Sequence, residues 1–210
     1  TLCVVPYIVN EGAEKYASLG TEKSKGTKLV SVSGHVKKPG NYEVVLGTPI
    51  REIIYDLAGG IRDGNKLKAF IPGGSSVPML PADQVDVSYD YESLAAAGTM
   101  LGSGAMIVID DSVNIVETTL RLISFYMHES CGKCTPCREG TRWLYQIVER
   151  IMQNKGQLEY IEKMEDICDN MAMKTFCPLA DACVSPVVSS IKYFRSDYEE
   201  YFKNVPVSSV

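Results

Sequence analysis

The sequence predicts an α+β fold, in which a small β-rich domain precedes a domain made of helices. Two patterns lead to this prediction. From Lys28 onward, apolar and polar residues alternate with the period of two that half-buried strands show, whereas beyond Asp110 apolar residues recur every three to four positions almost to the end. With 210 residues, 45% of them apolar, the chain can bury a sizeable core.

Residues 1–26 are predicted to form a terminal helix and a polar linker. The apolar residues between Thr1 and Gly20 keep roughly to one helix face, Gly20 can end that helix, and the polar stretch TEKSKG follows. Because the helix starts without a capping residue, we expect it to be the remainder of a preceding domain.

Residues 27–97 are predicted to form a small β-grasp (ubiquitin-like) domain. The alternating stretches LVSVSGHV and NYEVVL flank a Lys-Pro-Gly turn at 38–40, which predicts an antiparallel hairpin. A helix is expected next, followed by two short strands near 69–72 and 85–89. The order strand, strand, helix, strand, strand is that of a β-grasp-like unit.

The helix of this domain has a start signal and a stop signal. Thr48 is the expected N-cap and Pro49 the first helical residue, and the paired glycines Gly59 and Gly60 are expected to end it. The apolar side chains at i, i+3, i+4 and i+7 give it one buried face, namely Ile50, Ile53, Ile54 and Leu57.

Residues 98–210 are predicted to form an all-α helical bundle. A connector and a short buried strand, AMIVID at 105–110, come before four amphipathic helices. The last helix, from about Ala180 to Phe202, carries Pro186 in its first turns, which is near the limit that a helix tolerates.

Composition excludes several classes of function. The formal net charge of −5 argues against a nucleic-acid surface, which needs clustered Lys and Arg. No apolar run reaches the ~18 residues of a membrane span, and the N-terminus lacks the features of a signal peptide. We therefore expect a cytoplasmic chain without direct membrane insertion, at most peripheral to a membrane through its partners.

The strongest motif is HESCGKCTPCREG, in which Cys131, Cys134 and Cys137 follow a C-x-x-C-x-x-C spacing. A loop containing Gly132 and Pro136 can curl three thiolates around one centre, as an iron–sulfur cubane requires, and a fourth thiolate must then come from elsewhere. Seven cysteines in a reducing compartment also favour metal binding over disulfides.

Four cysteines compete for the place of the fourth ligand. Cys177, in TFCPLAD between two predicted helices, is preferred because Pro178 stiffens the turn, and Cys-Pro also ends the ferredoxin motif. Cys183 is the reserve, Cys168 lies on an apolar helix face, and Cys3 is distant in sequence. A zinc site of four cysteines stays open as the rival, although such sites usually pair two separate C-x-x-C motifs.

No other pattern predicts catalysis. His128 fits the end of a helix and His35 a surface position. The glycine-rich stretches lack the strand-to-helix context and spacing of phosphate-binding loops, so no phosphate-binding loop is predicted in them. No triad or pair of catalytic carboxylates stands out, and the chain is expected to carry electrons.

The motifs ESCGKCTPCREGT (129–141) and TFCPLADACVSPVVSSIKYFR (175–195) are similar to those of a known family. The chain resembles the NADH-binding flavoprotein of respiratory complex I, which is the F subunit of bacterial NADH-quinone oxidoreductase, and its relatives in NAD-linked hydrogenases and formate dehydrogenases. The stretch GTKLVSVSGHVKKPGNYEV resembles the soluble-ligand-binding β-grasp domain of this family, and the first 27 residues resemble the segment that leaves its flavin domain.

The resemblance implies a set of site residues. It assigns Cys131, Cys134, Cys137 and Cys177 to one [4Fe–4S] cluster, and it places the FMN and NADH sites in a larger N-terminal domain outside this chain. The cluster is expected to accept electrons from FMN reduced by NADH and to pass them to the iron–sulfur subunits of a peripheral arm. Taken alone, the chain is not expected to oxidise NADH.

Several alternatives stay open at this level. Lys133 and Arg138, next to the thiolates, are hypothesised to stabilise the reduced cluster. The same sequence suits a diaphorase subunit of an NAD(P)-linked hydrogenase or formate dehydrogenase. A zinc-stabilised scaffold that binds partners without redox activity is the alternative from another class. The β-grasp domain is expected to serve for docking or as a spacer.

Overall fold

A five-stranded mixed sheet organises the first part of the chain, and long helices make up the rest. The computed structural model describes residues 2–203, which form a mixed α/β structure with eight α-helices. These residues divide into two compact units. The first contains the described residues through Gly74 and then Leu80–Asp110; the second contains Ser75–Met79 and the described residues from Asp111 onward.

The N-terminal segment forms two short helices where the sequence predicts one. Helix α1 is Val4–Glu11 and helix α2 is Ala13–Ala17. Gly12 separates them because its φ of 93° lies in a region that glycine adopts readily and that interrupts a helix. Neither helix contributes a buried residue.

The sheet of the first unit has the strand order β2-β1-β5-β3-β4. Strands β1 and β5 are parallel, and the other neighbours are antiparallel. The predicted hairpin is present as β1 and β2. The strands are β1 Thr27–Gly34, β2 Gly40–Val45, β3 Leu67–Ile71, β4 Leu80–Pro81 and β5 Ala105–Asp110.

The helix after the hairpin is present but starts differently from the prediction. Helix α3, Ile50–Glu52, continues as one π-helical stretch, Ile53–Leu57, and its isoleucines are fully buried. Pro49 stands at the N-cap position. The predicted cap, Thr48, instead donates its hydroxyl to the Val45 carbonyl, 2.8 Å away.

The prediction of a strand at 85–89 is wrong. After a 3-10 turn, Ala82–Gln84, this segment pairs with the start of α3: Ile50 N donates to Val87 O, Arg51 N to Val85 O and Tyr89 N to Thr48 O. The edge strand is β4, and helix α4, Tyr91–Ala96, follows. The backbone of residues 85–89 thus pairs with residues 48–51, which are distant in sequence, and not with a neighbouring strand.

The apolar run AMIVID forms β5. From the sequence it is predicted to be part of the helical domain, whereas in the structure it is a strand of the sheet. It lies between β1 and β3 and is paired on both edges, which suits a strand buried on both faces. Residues 98–110 therefore belong to the first compact unit, whereas the sequence interpretation grouped them with the helical domain.

Four helices build the second unit around a shared apolar core. They are α5 Ile115–Glu129, α6 Thr135–Met152, α7 Glu159–Met171 and α8 Leu179–Phe202. The N-terminus of α5 is closed by Asn114, whose Oδ1 accepts from Val116 N at 2.8 Å, and by Asp197 of α8, whose Oδ2 accepts from Ile115 N at 2.8 Å. As predicted, α8 accommodates Pro186.

Within residues 2–203, no helix is both long enough and apolar enough to cross a membrane.

Candidate metal centre

The C-x-x-C-x-x-C motif spans the junction between α5 and α6. Cys131 lies in the loop and is exposed, Cys134 is the N-cap residue of α6, and Cys137 lies in the first turns of that helix with only 6% of its surface exposed. The loop is shorter than the sequence predicts because Pro136 is already helical. Proline suits the first turn, where its missing N–H would have no partner within the helix.

The beginning of α6 is suited to negative charge. The first N–H groups of a helix have no intrahelical acceptor, and the helix dipole is positive at this end. No side chain caps the N-terminus of α6, and no acidic residue lies in its first turn. The positive end of the helix dipole therefore lies at Cys134 and Cys137.

The loop between the helices has a defined conformation. Gly132 has a φ of +79°, which a residue with a Cβ adopts only with strain. Arg138 reaches back from α6, and its Nη1 donates to the Gly132 carbonyl at 2.7 Å. Its Nε donates to Glu139 Oε1 at 2.8 Å, so a carboxylate partly offsets the guanidinium charge.

The segment that carries Cys177 lies beside this loop. The Lys133 ammonium stands over the ring of Phe176, 5.8 Å from its centroid. Cys177 is exposed and comes two residues before α8. The Thr175 hydroxyl donates to the Cys177 carbonyl at 2.9 Å, which helps to shape the turn.

The remaining cysteines of the second unit belong to its core. Cys168 and Cys183 are fully buried. Burial raises the pKa of the Cys168 thiol to about 12, and the charges of Asp169 and Glu165 act in the same direction. Burial also raises the pKa of Cys183 strongly, and the neighbouring Cys168 and Cys137 add to this effect. Both thiols are neutral at physiological pH, as core packing requires.

The two histidines stand apart from the cysteine motif or at its edge. His128 is exposed in the last turn of α5, as predicted. His35 is less exposed than predicted, because its Nδ1 lies 2.8 Å from Oδ1 of the buried Asp110 in the first unit.

The four predicted ligands have the donor chemistry of an iron–sulfur cluster, but their side chains do not converge on one point. Among residues 2–203, no three side chains of His, Cys, Asp or Glu are arranged so that they hold a metal ion. Three thiols nevertheless occupy one loop and one helix start, and the Lys133–Phe176 contact brings the segment of Cys177 alongside. Thiolates are the ligands that such clusters use.

One contact at this site involves a residue that the sequence analysis did not single out. The Ser130 hydroxyl lies 3.3 Å from the Cys137 sulfur. A hydroxyl residue directly before the first cysteine was the available signal, but only the fold shows that it meets the third cysteine.

Comparison with known proteins gives a consistent result for both units. The family model described as the NADH-ubiquinone oxidoreductase-F iron-sulfur binding region matches residues 117–201, and the SLBB domain model matches residues 29–80. The first match contains all four candidate cysteines.

Similar proteins cover nearly the whole chain. The F subunit of NADH-quinone oxidoreductase from Streptomyces coelicolor is 48% identical over 96% of this chain and 44% of its own length. The corresponding protein of Mycobacterium bovis is 50% identical over 94% of this chain and 44% of its own length. The chain thus spans about half the length of the curated relatives it matches.

A solved structure shares the fold. A chain of an NAD+-reducing [NiFe]-hydrogenase in the H2-reduced state superimposes with a TM-score of 0.85 at 30% identity, covering 96% of this chain and 34% of that one. Together with two matching family models and with relatives that are 42–50% identical, this shows that the chain belongs to the family of NADH-quinone oxidoreductase F subunits.

Proposed function

We propose that this chain is the electron-transfer part of an NADH dehydrogenase flavoprotein subunit. In this proposal Cys131, Cys134, Cys137 and Cys177 hold one [4Fe–4S] cluster. The electrons come from FMN, which NADH reduces in a domain outside this chain, and they leave to the iron–sulfur clusters of partner subunits. When bound, a thiolate-ligated cubane supplies one-electron oxidation and reduction.

The observation that carries the proposal is the contact between the two cysteine segments. Lys133 lies between Cys131 and Cys134 in the chain, and its ammonium stands over Phe176, the neighbour of Cys177. The segment that carries a fourth thiol, 40 residues after the third in the chain, thus has a side chain in contact with the loop that offers the other three. The match of residues 117–201 to an iron–sulfur binding region supports the same ligand set.

Each part of the site has a proposed role. The N-terminus of α6 places the positive end of a helix dipole at Cys134 and Cys137, beside the proposed cluster. The Lys133 ammonium favours the reduced, more negative cluster. Arg138 has mainly a positioning role, because its guanidinium is engaged by the Gly132 carbonyl and by Glu139.

The roles of the two units are part of the proposal. We infer that the sheet unit is a β-grasp domain for docking or spacing, which its hairpin, buried helix and mixed sheet support. The four helices are proposed to act as a bundle that holds the cluster. The first 26 residues are proposed to lead from the flavin domain.

The proposed location and partners rest on the likeness to the F subunits. We propose that the chain works in the cytoplasm, at the inner face of the membrane, as part of the peripheral arm of complex I and next to its iron–sulfur subunits. A second candidate is the diaphorase subunit of an NAD-linked hydrogenase, because the similar solved structure is an NAD+-reducing hydrogenase.

The experiment is anaerobic purification of the complete chain, followed by reconstitution with iron and sulfide. We expect a brown protein with about four iron atoms per chain and visible absorption that dithionite bleaches. A colourless protein that takes up zinc alone, with all four cysteines intact, would support the zinc scaffold and overturn the proposal.

A further inference from the structure

Ser130 is held rigidly at the end of α5. It is the C-cap residue of that helix, and its N–H donates to the Tyr126 carbonyl at 3.0 Å. Its hydroxyl oxygen lies 3.3 Å from the sulfur of Cys137, at the start of the next helix. The contact therefore joins the end of one helix to the start of the next.

The direction of this hydrogen bond follows from its surroundings. The N–H of Gly132 donates to the Ser130 oxygen at 3.4 Å, so this oxygen already accepts one hydrogen bond. A thiolate ligand carries no proton and can only accept. With Cys137 acting as a ligand, the hydroxyl hydrogen of Ser130 must point toward its sulfur.

Cys137 is the ligand at which such a bond matters most. It is the only one of the four candidates that is buried, whereas Cys131 and Cys177 are exposed. Its carbonyl accepts from the Thr141 hydroxyl at 2.8 Å, which fixes its backbone. Water screens a buried hydrogen bond less, so its electrostatic effect is larger.

We infer that Ser130 is a positioning residue that tunes the cluster by donating a hydrogen bond to the Cys137 thiolate. This inference rests on the proposed function. Reduction by one electron increases the negative charge on the thiolate sulfurs, and a fixed donor stabilises that form more than the oxidised one. Hydrogen bonds to sulfur are among the factors that set the potential of such clusters. Ser130 therefore makes the midpoint potential more positive.

The test compares variants of the 210-residue chain after reconstitution with iron and sulfide. Ser130→Ala removes the donor, so we expect it to keep the iron content and to shift the midpoint potential to a more negative value. Ser130→Thr keeps a hydroxyl and should restore the potential of the unchanged chain. Thr141→Val is the matched control, because it deletes a hydroxyl that bonds to Cys137 through the backbone carbonyl and not through the sulfur.

The outcomes separate the inference from the proposed function. Absence of a cluster in the unchanged chain would defeat the proposed function. A Ser130→Ala chain with a full cluster and an unchanged potential would defeat the inference and leave that function standing. A Ser130→Ala chain that takes up no iron would also count against the inference, because the hydroxyl would then be needed for binding. An equal shift in Thr141→Val would show a general packing effect and would overturn it as well.

Discussion

Cysteine side chains have opposite environments in the core of the helical unit and in the loop at its end. In the core, Cys168 and Cys183 are fully buried and their thiols are held neutral. In and beside the loop, Cys131 and Cys177 are exposed, with a helix N-terminus and a lysine nearby. Burial and local charge, and not residue type, therefore distinguish the two core cysteines from the two exposed ones that are proposed as ligands.

Cys137 lies on the border between these two regions. It is part of the buried core, close enough to Cys183 to affect its pKa, yet its sulfur meets the Ser130 hydroxyl of the loop. The proposed cluster would therefore be anchored to the core through one ligand and reached by solvent through the others.

The largest effect is expected from exchanging one cysteine of each region for alanine. Cys177→Ala should lower the iron content of the reconstituted chain at least several-fold, because the cluster loses a ligand. Cys183→Ala should leave the iron content near that of the unchanged chain. Iron analysis after anaerobic gel filtration provides the measurement. Equal iron in both variants would remove the distinction between the regions.

The second effect concerns alkaline pH and the core. The pKa of Cys168 is about 12 in the folded chain, against an ordinary value of 9.0. Above pH 9 the unfolded chain loses this proton first, so the contribution of the neutral thiol to stability is intact below pH 9 and falls as the pH rises toward 12. The expected loss is about 1 kcal/mol per pH unit.

This pH effect can be isolated by urea unfolding of the cluster-free chain and of Cys168→Ala at a series of pH values. The difference in the free energy of unfolding between the two chains should shrink above pH 9. Titrations of groups that are not coupled to Cys168 contribute to both chains and cancel, whereas Tyr198 and Cys183 feel the Cys168 charge. Parallel curves up to pH 12 would contradict the environment assigned to Cys168.

The third prediction concerns the same two substitutions but measures stability, and the core substitution is now expected to have the larger effect. In the cluster-free chain, Cys183→Ala should lower the free energy of unfolding by roughly 1–2 kcal/mol, because it deletes a buried atom and leaves a small cavity. Cys177→Ala should change it by less than about 0.5 kcal/mol, since its side chain is exposed. Chemical unfolding measures both, and a larger loss for Cys177→Ala would be the contrary result.

The smallest effect concerns charge at the loop. Lys133→Glu should shift the midpoint potential of the cluster to a more negative value, since it replaces a cation near the thiolates by an anion, and solvent screens this exposed site. Lys155→Glu makes the same change of charge beyond the other end of α6, a helix of 18 residues and about 27 Å. Identical potentials in the two variants would argue against a role for Lys133.

Sequence periodicity was a good guide where one helix face alone decides the structure. The apolar residues Leu144, Val148 and Ile151 indicate a helix and are buried in α6, because neighbours three and four residues apart share a helix face, whereas Trp143, which the same pattern includes, is 52% exposed. The strand predicted at 85–89 is absent because the backbone partners of this segment lie 41 residues away, at Thr48 for Tyr89, and 37 residues away, at Ile50 for Val87. Long-range pairing of this kind leaves no local pattern.

In the candidate site, too, local sequence patterns were predictable and long-range contacts were not. The spacing of Cys131, Cys134 and Cys137 is visible in the sequence, and the turn before Pro178 marked Cys177. The contact of Ser130 with Cys137 depends on how the end of α5 meets the start of α6, and the engagement of Arg138 depends on the left-handed Gly132. Such contacts appear only after the helices have packed.

The five residues Ser75–Met79 show that the boundary between the two units is not a single point in the chain. Although they lie between β3 and β4 in sequence, they belong to the second unit, where Met79 N donates to Ser189 Oγ at 3.0 Å and Ser75 Oγ lies 2.9 Å from the Tyr126 hydroxyl. The helical unit is thus encoded in two separate stretches. A shortened chain that starts at Asp111 would lack both of these hydrogen bonds, so the cut between β5 and α5 does not separate the two units cleanly.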